Sequence, residues 1–209
     1  MTSAPTKILN IDPVIPKRLS KDIDRVIASP QQIHQCIRTL AQKIHRAYRD
    51  TEDIIALVLM NGAGPFAVDL ERVLNDPRFR FCPLRVSSYH GTQSSGHIQM
   101  DSLTNIDITG RHVLIVEDIY DTGLTLTRVM EHLHQHAPAN VKICILFEKK
   151  NDHVERISPD FIGMSVPDAF LVGYGLDFHQ RYRELNCVGI LKPAILEQEH
   201  PQDAPQSVS

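Results

Sequence analysis

The sequence predicts an α/β fold: a parallel sheet flanked by helices, with a small cap or hood drawn from the N- and C-terminal segments. Three observations predict it. Continuous apolar runs at 54–60 and 113–116 are typical of strands buried on both faces. Stretches with helical spacing of apolar residues alternate with those runs. Strand–helix alternation implies one parallel sheet joined by right-handed crossovers.

Each element has its own signal. Ser29-Pro30-Gln31-Gln32 reads as a helix start, with Ser29 as N-cap, Pro30 at the first helical position and Gln32 closing a capping box. Ile33, Cys36, Ile37, Leu40, Ile44 and Ala47 then follow helical spacing. Asn61-Gly62-Ala63-Gly64 ends the first apolar run, and Pro65 to Leu74 reads as a helix. Phe79 to Tyr89 gives another strand, followed by the polar stretch His90 to Gly96, which has no apolar anchor. His112 to Val116 is the next strand. Leu126, Val129, Met130 and Leu133 mark one face of the helix after it, and Val141 to Phe147 forms a further buried strand. Beyond Pro159, short strands at 161–165 and 170–174 supply the cap, together with N-terminal residues. The expectation is a single domain over residues 1–197, with a core at about 30–158 and a hood from about 1–29 and 159–197. Residues 198–209 are polar, contain Pro201 and Pro205, and are expected to be disordered.

Composition narrows the function. The 209 residues suffice to bury a good core. Lys plus Arg number 22 against 25 Asp plus Glu, a net charge of −3, which is no footprint for nucleic-acid binding. Cys36, Cys82, Cys144 and Cys187 lie far apart with no CxxC, so neither a disulfide framework nor a zinc site is indicated. No apolar stretch approaches the roughly 18 residues of a membrane span. The polar N-terminus does not read as a signal peptide. A reducing cytoplasm is the expectation.

Chemistry concentrates in one run, Val113-Leu114-Ile115-Val116-Glu117-Asp118-Ile119-Tyr120-Asp121-Thr122-Gly123-Leu124-Thr125-Leu126. In an open α/β sheet, ligands bind outside the carboxyl ends of the strands. That rim would hold Glu117, Asp118 and Asp121. The turn Asp121 to Thr125 can aim backbone N–H groups at an anion, with the positive end of the next helix behind it. Carboxylates beside such a nest make sense if a divalent cation or a sugar hydroxyl lies between them and a phosphate. Asp121-Thr122-Gly123 also spells the aspartic-protease triplet, but that chemistry needs a second copy or a symmetric dimer, and the sequence has no second copy. A receiver domain also gathers carboxylates around Mg²⁺, yet its acidic pair comes near the N-terminus, whereas Glu117-Asp118 falls past the midpoint. His132 and His136 share a helical face but have no Glu or Cys partner in a motif, so they and His134 read as a solvated face.

Val113 to Thr125 resembles the diphosphoribosyl-binding signature of type I phosphoribosyltransferases. Its Glu-Asp-Ile-Tyr-Asp-Thr-Gly continuation resembles the purine-salvage branch that acts on hypoxanthine and guanine. Four more segments match that branch in order, so the resemblance spans roughly residues 54–191. Met60-Asn61-Gly62-Ala63-Gly64 stands where the family has its pyrophosphate loop, with Asn61 in place of the usual lysine. Ser88-Tyr89 and the polar stretch to Ile98 resemble the mobile loop that closes over the site, which would bring Ser88 and Tyr89 to the bound donor. Lys149, with Lys150 as nearest rival, follows a strand as does the family's lysine. Phe170-Leu171-Val172-Gly173-Tyr174-Gly175-Leu176-Asp177 resembles the base- and metal-binding segment, and Arg183 follows in Tyr182-Arg183-Glu184-Leu185.

The resemblance implies an activity: transfer of the 5-phosphoribosyl group from phosphoribosyl pyrophosphate to N9 of a 6-oxopurine, giving IMP or GMP and pyrophosphate. It also implies roles. Thr122, Gly123, Leu124 and Thr125 would take the 5′-phosphate with the Asp121 turn. Glu117 and Asp118 would hold the ribose hydroxyls, directly or through Mg²⁺. Asp121 would be the general base at N7, and Arg183 with the Asn61-Gly62 loop would face pyrophosphate. Lys149 would donate to the 6-oxo group, Phe170 would stack on the purine, and the Leu171 backbone would meet its edge. Asp177 would border the purine as well and anchor a second Mg²⁺. A homodimer or homotetramer is implied too. The alternatives are a regulator that binds the donor without turning it over, which Asn61 favours, and a related transferase for a pyrimidine base or adenine.

Overall fold

The computed structural model describes residues 15–87, 99–100, 106–150 and 157–197, and two sheets organise them. In chain order the elements are β1 (Ile23–Ala28), α1 (Pro30–Ala47), β2 (Ile54–Met60), α2 (Gly64–Leu74), β3 (Phe79–Ser87), β4 (Gln99–Met100), β5 (His112–Tyr120), α3 (Leu124–His134), β6 (Asn140–Lys149), β7 (Phe161–Val166), β8 (Leu171–Val172), β9 (Val188–Leu191) and α4 (Pro193–Leu196). The larger sheet runs β4-β3-β2-β5-β6-β7; from β3 to β7 its strands are parallel, and β4 pairs antiparallel to β3. The smaller sheet, β1-β9-β8, is antiparallel and draws on residues from both ends of the described chain.

Period-two alternation on buried strands builds two cores, one on each face. Ala56 and Val58 of β2 with Leu114 and Val116 of β5 pack on α1 and α2 through Ile33, Ile37, Leu40, Phe66 and Leu70. Ile55, Leu57 and Leu59 with Val113 and Ile115 pack on α3 through Leu126, Val129 and Leu133. Each such Leu or Ile contributes roughly 1.5–3 kcal/mol by leaving water. A strand covered on both faces must be apolar throughout, which is why β2 reads as a continuous run.

The helix start at Ser29 is as its residues dictate. Ser29 Oγ accepts from the Gln32 N–H at 3.3 Å, and Gln32 Oε1 accepts from the Ser29 N–H at 2.8 Å. The other end differs from expectation: Ala47 is exposed, and Tyr48 takes the inward place. Tyr48 caps the helix, turns back over the sheet, meets Phe79 edge-on at 5.6 Å and donates its hydroxyl to the Val113 carbonyl.

Three boundaries also move. The strand expected at His112–Val116 continues to Tyr120, so Glu117 and Asp118 lie within β5, not beyond it. Pairing with β2 stops at Val58↔Val116, while pairing with β6 continues through Glu117↔Ile145 to Tyr120↔Glu148. The strand expected in the cap at 161–165 is Phe161–Val166, the edge strand of the main sheet, parallel to β6; a short apolar strand does not announce which sheet it joins. The strand expected at 170–174 shrinks to Leu171–Val172 because Gly173, Tyr174 and Gly175 all take positive φ, which no ladder accommodates. Among the described residues no helix is long and apolar enough to cross a membrane. Ser88, Tyr89, the polar stretch to Ile98 and the tail 198–209 lie outside the described residues.

Candidate active site

The strand order β3-β2-β5-β6 reverses direction between β2 and β5. Such a switch point opens a crevice beyond the strands' carboxyl ends. Here the crevice is a cavity of about 350 Å³. It gathers Gly62, Glu117, Asp118, Asp121, Thr125, Lys149, Phe170, Leu171, Asp177 and Arg183, which sequence had singled out separately. A second hollow of about 170 Å³ adjoins it at Glu117, Asp121 and Thr125, and is floored by Thr122 and Gly123.

The acidic pair sits where β2 departs and β5 continues. Asp118 is buried. Glu117 is half-buried, and its Oε2 is enclosed with no hydrogen-bond partner among the described residues. Burial pushes both carboxyls above their usual range, and for Glu117 the neighbouring Asp118 charge acts in the same direction. Gly62 lets the loop before α2 lie directly on this pair, since a Cβ there would collide with the Asp118 carboxylate. Asn61, by contrast, is exposed and does not line the cavity; its carbonyl accepts from the Gly64 N–H at 3.2 Å.

The anion nest forms at the start of α3. Gly123 caps that helix with φ 85°, a turn that favours glycine, and the first turn carries no acidic residue. The N–H groups of that first turn and the helix dipole therefore favour an incoming anion. Thr122 Oγ1 accepts from the Leu124 N–H at 3.4 Å. Leu124 itself is exposed and lines neither hollow, so its side chain takes no part.

Lys149 ends β6 with its ammonium 2.6 Å from Asp121 Oδ2 and 3.8 Å from Asp168 Oδ1. Lys150 is exposed, and its N–H is taken by the Val166 carbonyl. Asp168 was missed by sequence reading; a carboxylate two residues before Phe170 gave no periodic or motif signal. Phe170 stands at the rim, 40 % exposed, edge-on to Phe178 at 5.4 Å, which leaves an aromatic surface available for stacking. Across the cavity, Arg183 Nη2 lies 2.7 Å from Asp177 Oδ1, and Arg183 Nη1 donates to the Gly175 carbonyl at 2.5 Å. The Gln180 N–H fixes the other Asp177 oxygen at 2.9 Å.

Among the described residues no three His, Cys, Asp or Glu side chains form a metal cluster. His136 Nδ1 lies 3.1 Å from the His132 carbonyl oxygen on the outer side of α3, away from the cavity. All four cysteines are free.

A family model described as a phosphoribosyl transferase domain matches residues 27–179. The hypoxanthine-guanine phosphoribosyltransferase of Bacillus subtilis (strain 168) is 37% identical over 180 residues, covering 86% of this chain and 99% of that protein. The hypoxanthine-guanine-xanthine phosphoribosyltransferase of Tritrichomonas foetus is 36% identical over 178 residues, 83% of this chain and 94% of the relative. A hypoxanthine phosphoribosyltransferase structure from Staphylococcus aureus superposes with a TM-score of 0.81 at 29% identity, over 88% of this chain and all of that one (100%).

Proposed function

The chain belongs to the phosphoribosyltransferase domain family, and from that premise we propose that it is a purine-salvage enzyme of the hypoxanthine-guanine type. It moves the 5-phosphoribosyl group of phosphoribosyl pyrophosphate to N9 of hypoxanthine or guanine and releases pyrophosphate. One observation carries the reading: an ion pair, Asp121 with Lys149, lies in the same cavity as the carboxylates Glu117 and Asp118, beside the N-terminal turn of α3.

The residues sort by task. Backbone N–H groups of the 121–125 turn, with the hydroxyls of Thr122 and Thr125, take the 5′-phosphate. Glu117 and Asp118 hold the ribose hydroxyls and favour the positive charge that grows on the sugar as pyrophosphate leaves. Arg183 and the Gly62 backbone face the departing pyrophosphate. Phe170 and the Leu171 backbone hold the purine, and Lys149 donates to its 6-oxo group. Asp121, a carboxylate beside that ammonium, removes the proton as the ring attacks.

Mg²⁺ fits the acidic pair. Glu117 Oε2 is a buried acceptor without a donor among the described residues, and Mg²⁺ is usually held by one or two carboxylates, with substrate oxygens and waters filling the remaining positions. Glu117 and Asp118 would hold one ion and Asp177 a second, supplying charge neutralisation at the leaving group. A homodimer or homotetramer in the cytoplasm completes the reading, and four free thiols suit a reducing compartment.

Incubation with Mg²⁺, the donor and each base in turn, followed by pyrophosphate and nucleotide assay, tests it. Hypoxanthine and guanine should react, and adenine, which offers an amino group to the Lys149 donor, should not. Donor binding without pyrophosphate release would make the protein a regulator instead.

A further inference from the structure

Three consecutive residues, Gly173, Tyr174 and Gly175, have φ of 101°, 50° and 99°. Both glycines are required by close approach. A Cβ at Gly173 would collide with the Cys187 carbonyl, just before β9, and one at Gly175 would collide with the Gly62 carbonyl of the loop before α2. Tyr174 lies between them in a backbone state that an L side chain rarely adopts, so surrounding contacts must hold it there. Its N–H donates to the Leu185 carbonyl at 2.7 Å, on the side of the small sheet. Its buried ring points the other way, and its hydroxyl donates to Asp69 Oδ2 on α2 at 2.6 Å. His34 Nε2 and Arg72 Nη1 stand 3.6 and 3.7 Å from the same carboxylate. Burial and then the Asp69 hydrogen bond push the phenol well up, so it remains a donor at any working pH.

We propose that the Asp69–Tyr174 hydrogen bond is a positioning latch for the donor's pyrophosphate. Neither residue lines the cavity, so both act through others. Holding Tyr174 seats Gly175 against Gly62. The Gly175 carbonyl in turn holds the Arg183 guanidinium, which holds Asp177. The latch thus aligns the two walls between which pyrophosphate would lie: the loop of the core and the Asp177–Arg183 pair of the hood. On the purine side, Lys149 at the end of β6 lies outside this chain of contacts, and Phe170 and Leu171 precede Tyr174 without making any of them. The inference rests on the transferase reading of the cavity.

Steady-state kinetics of Tyr174→Phe test it. The change keeps the ring and removes one charge-assisted hydrogen bond, so the donor KM should rise about tenfold while the KM for hypoxanthine changes little. Asp69→Asn keeps an acceptor and should restore part of the donor affinity that Asp69→Leu loses. The double variant Tyr174→Phe/Asp69→Leu should be no worse than either single one, because both remove the same bond. An unchanged donor KM in Tyr174→Phe, an equal rise for both substrates, or additive effects in the double variant would overturn the latch. Should Tyr174→Phe melt below the assay temperature, the contrast of Asp69→Asn with Asp69→Leu decides. A wild type without turnover would defeat the transferase reading itself, a separate result; calorimetric donor affinity of the same variants would then still read the latch.

Discussion

Lys149 and Asp121, 28 residues apart on successive strand ends, meet at 2.6 Å across the cavity. The ammonium keeps the carboxylate aimed inward, where an attacking ring nitrogen would arrive. In the proposed reaction, a 6-oxopurine that enters would offer its carbonyl to the ammonium as a second acceptor and its ring proton to the carboxylate. Recognition and proton removal then depend on one contact. Asp121→Asn should lower turnover by about 10²–10⁴-fold, the usual worth of general acid–base assistance. Donor affinity, read by calorimetry, should change much less. Unaltered turnover would remove Asp121 from catalysis.

Lys149→Met should behave differently from Asp121→Asn. It deletes the proposed donor to the 6-oxo group and also releases the Asp121 carboxylate, so kcat should fall and the KM for hypoxanthine should rise together. A mismatched buried polar group discriminates strongly, so the preference for hypoxanthine over adenine should shrink as well. Rates with both bases, at saturating donor, check this. A variant that kept the wild-type preference would show that the exocyclic group is read elsewhere, with Asp168, 3.8 Å from the ammonium, the next residue to change.

Glu117→Gln should separate stability from function. The carboxyl carries an enclosed oxygen with no partner among the described residues and a second buried carboxyl, Asp118, beside it, so keeping both costs the apo protein stability. Removing that charge by about 1 kcal/mol of relief would raise Tm by about 2–4 °C for a chain of this size. Affinity for Mg²⁺ with the donor should fall at the same time. Melting curves without metal and donor titrations with it measure both. A lower Tm in the apo variant would mean that Glu117 is satisfied by packing alone.

The sheet and its helices were legible because each has a simple cause. Buried-on-both-faces strands must be apolar throughout, and a Ser-Pro-x-Gln start makes a capping box wherever it can. The acidic pair and the Asp121 turn were legible because the chemistry needs those residue types in immediate succession. Other features depend on distant partners and leave no local trace. Nothing around Asp168 points to Lys149, and nothing around Asp69 points to Tyr174, 105 residues away. The place of segment 161–166 in the main sheet was hidden for the same reason: its pairing with β6 is decided by tertiary packing, not by its own pattern. Ala47 failed because it is the last residue of α1, where the C-cap Tyr48 takes the inward place instead.

The C-terminal ends of α1 and α2 are tied by Asp76 and Arg78. Arg78 reaches the carbonyls of Tyr48, Arg49 and Thr51, and pairs with Asp76 at 2.7 Å. Hydrogen bonds from Arg78 hold the Asp76 carboxyl below its ordinary value, with His45 adding to the effect. A carboxyl whose pKa is lower when folded adds stability above its unfolded value of 3.8 and loses it as pH falls through the folded value. Asp76→Asn should therefore lower Tm at neutral pH. The gap from wild type should close as the pH is taken below about 3.8. Thermal melts across that range decide; a gap that stayed constant would assign the loss to packing or to the Asn amide.

Gly62 is the sharpest test of how the loop before α2 meets the acidic pair. The residue has no special backbone need recorded in a positive φ; its constraint is space, because a Cβ would run into the Asp118 carboxylate. Its carbonyl meets Gly175 on the other side, so the loop cannot retreat without breaking the hood contact as well. Asp118 is buried and cannot swing into solvent. Gly62→Ala must therefore push the carboxylate out of line or lift the loop, and either movement spoils the surface facing the donor. Overpacking a tight site typically costs about 1–3 kcal/mol, so the variant should fold with a Tm lower by several degrees. Its donor affinity should fall much further than its stability does. Gly64→Ala, two residues on, is the control: a Cβ there meets only the flexible Met60 side chain at 3.6 Å or more, and both measurements should stay near wild type. Equal donor affinities for Gly62→Ala and Gly64→Ala would show that the loop and Asp118 act independently.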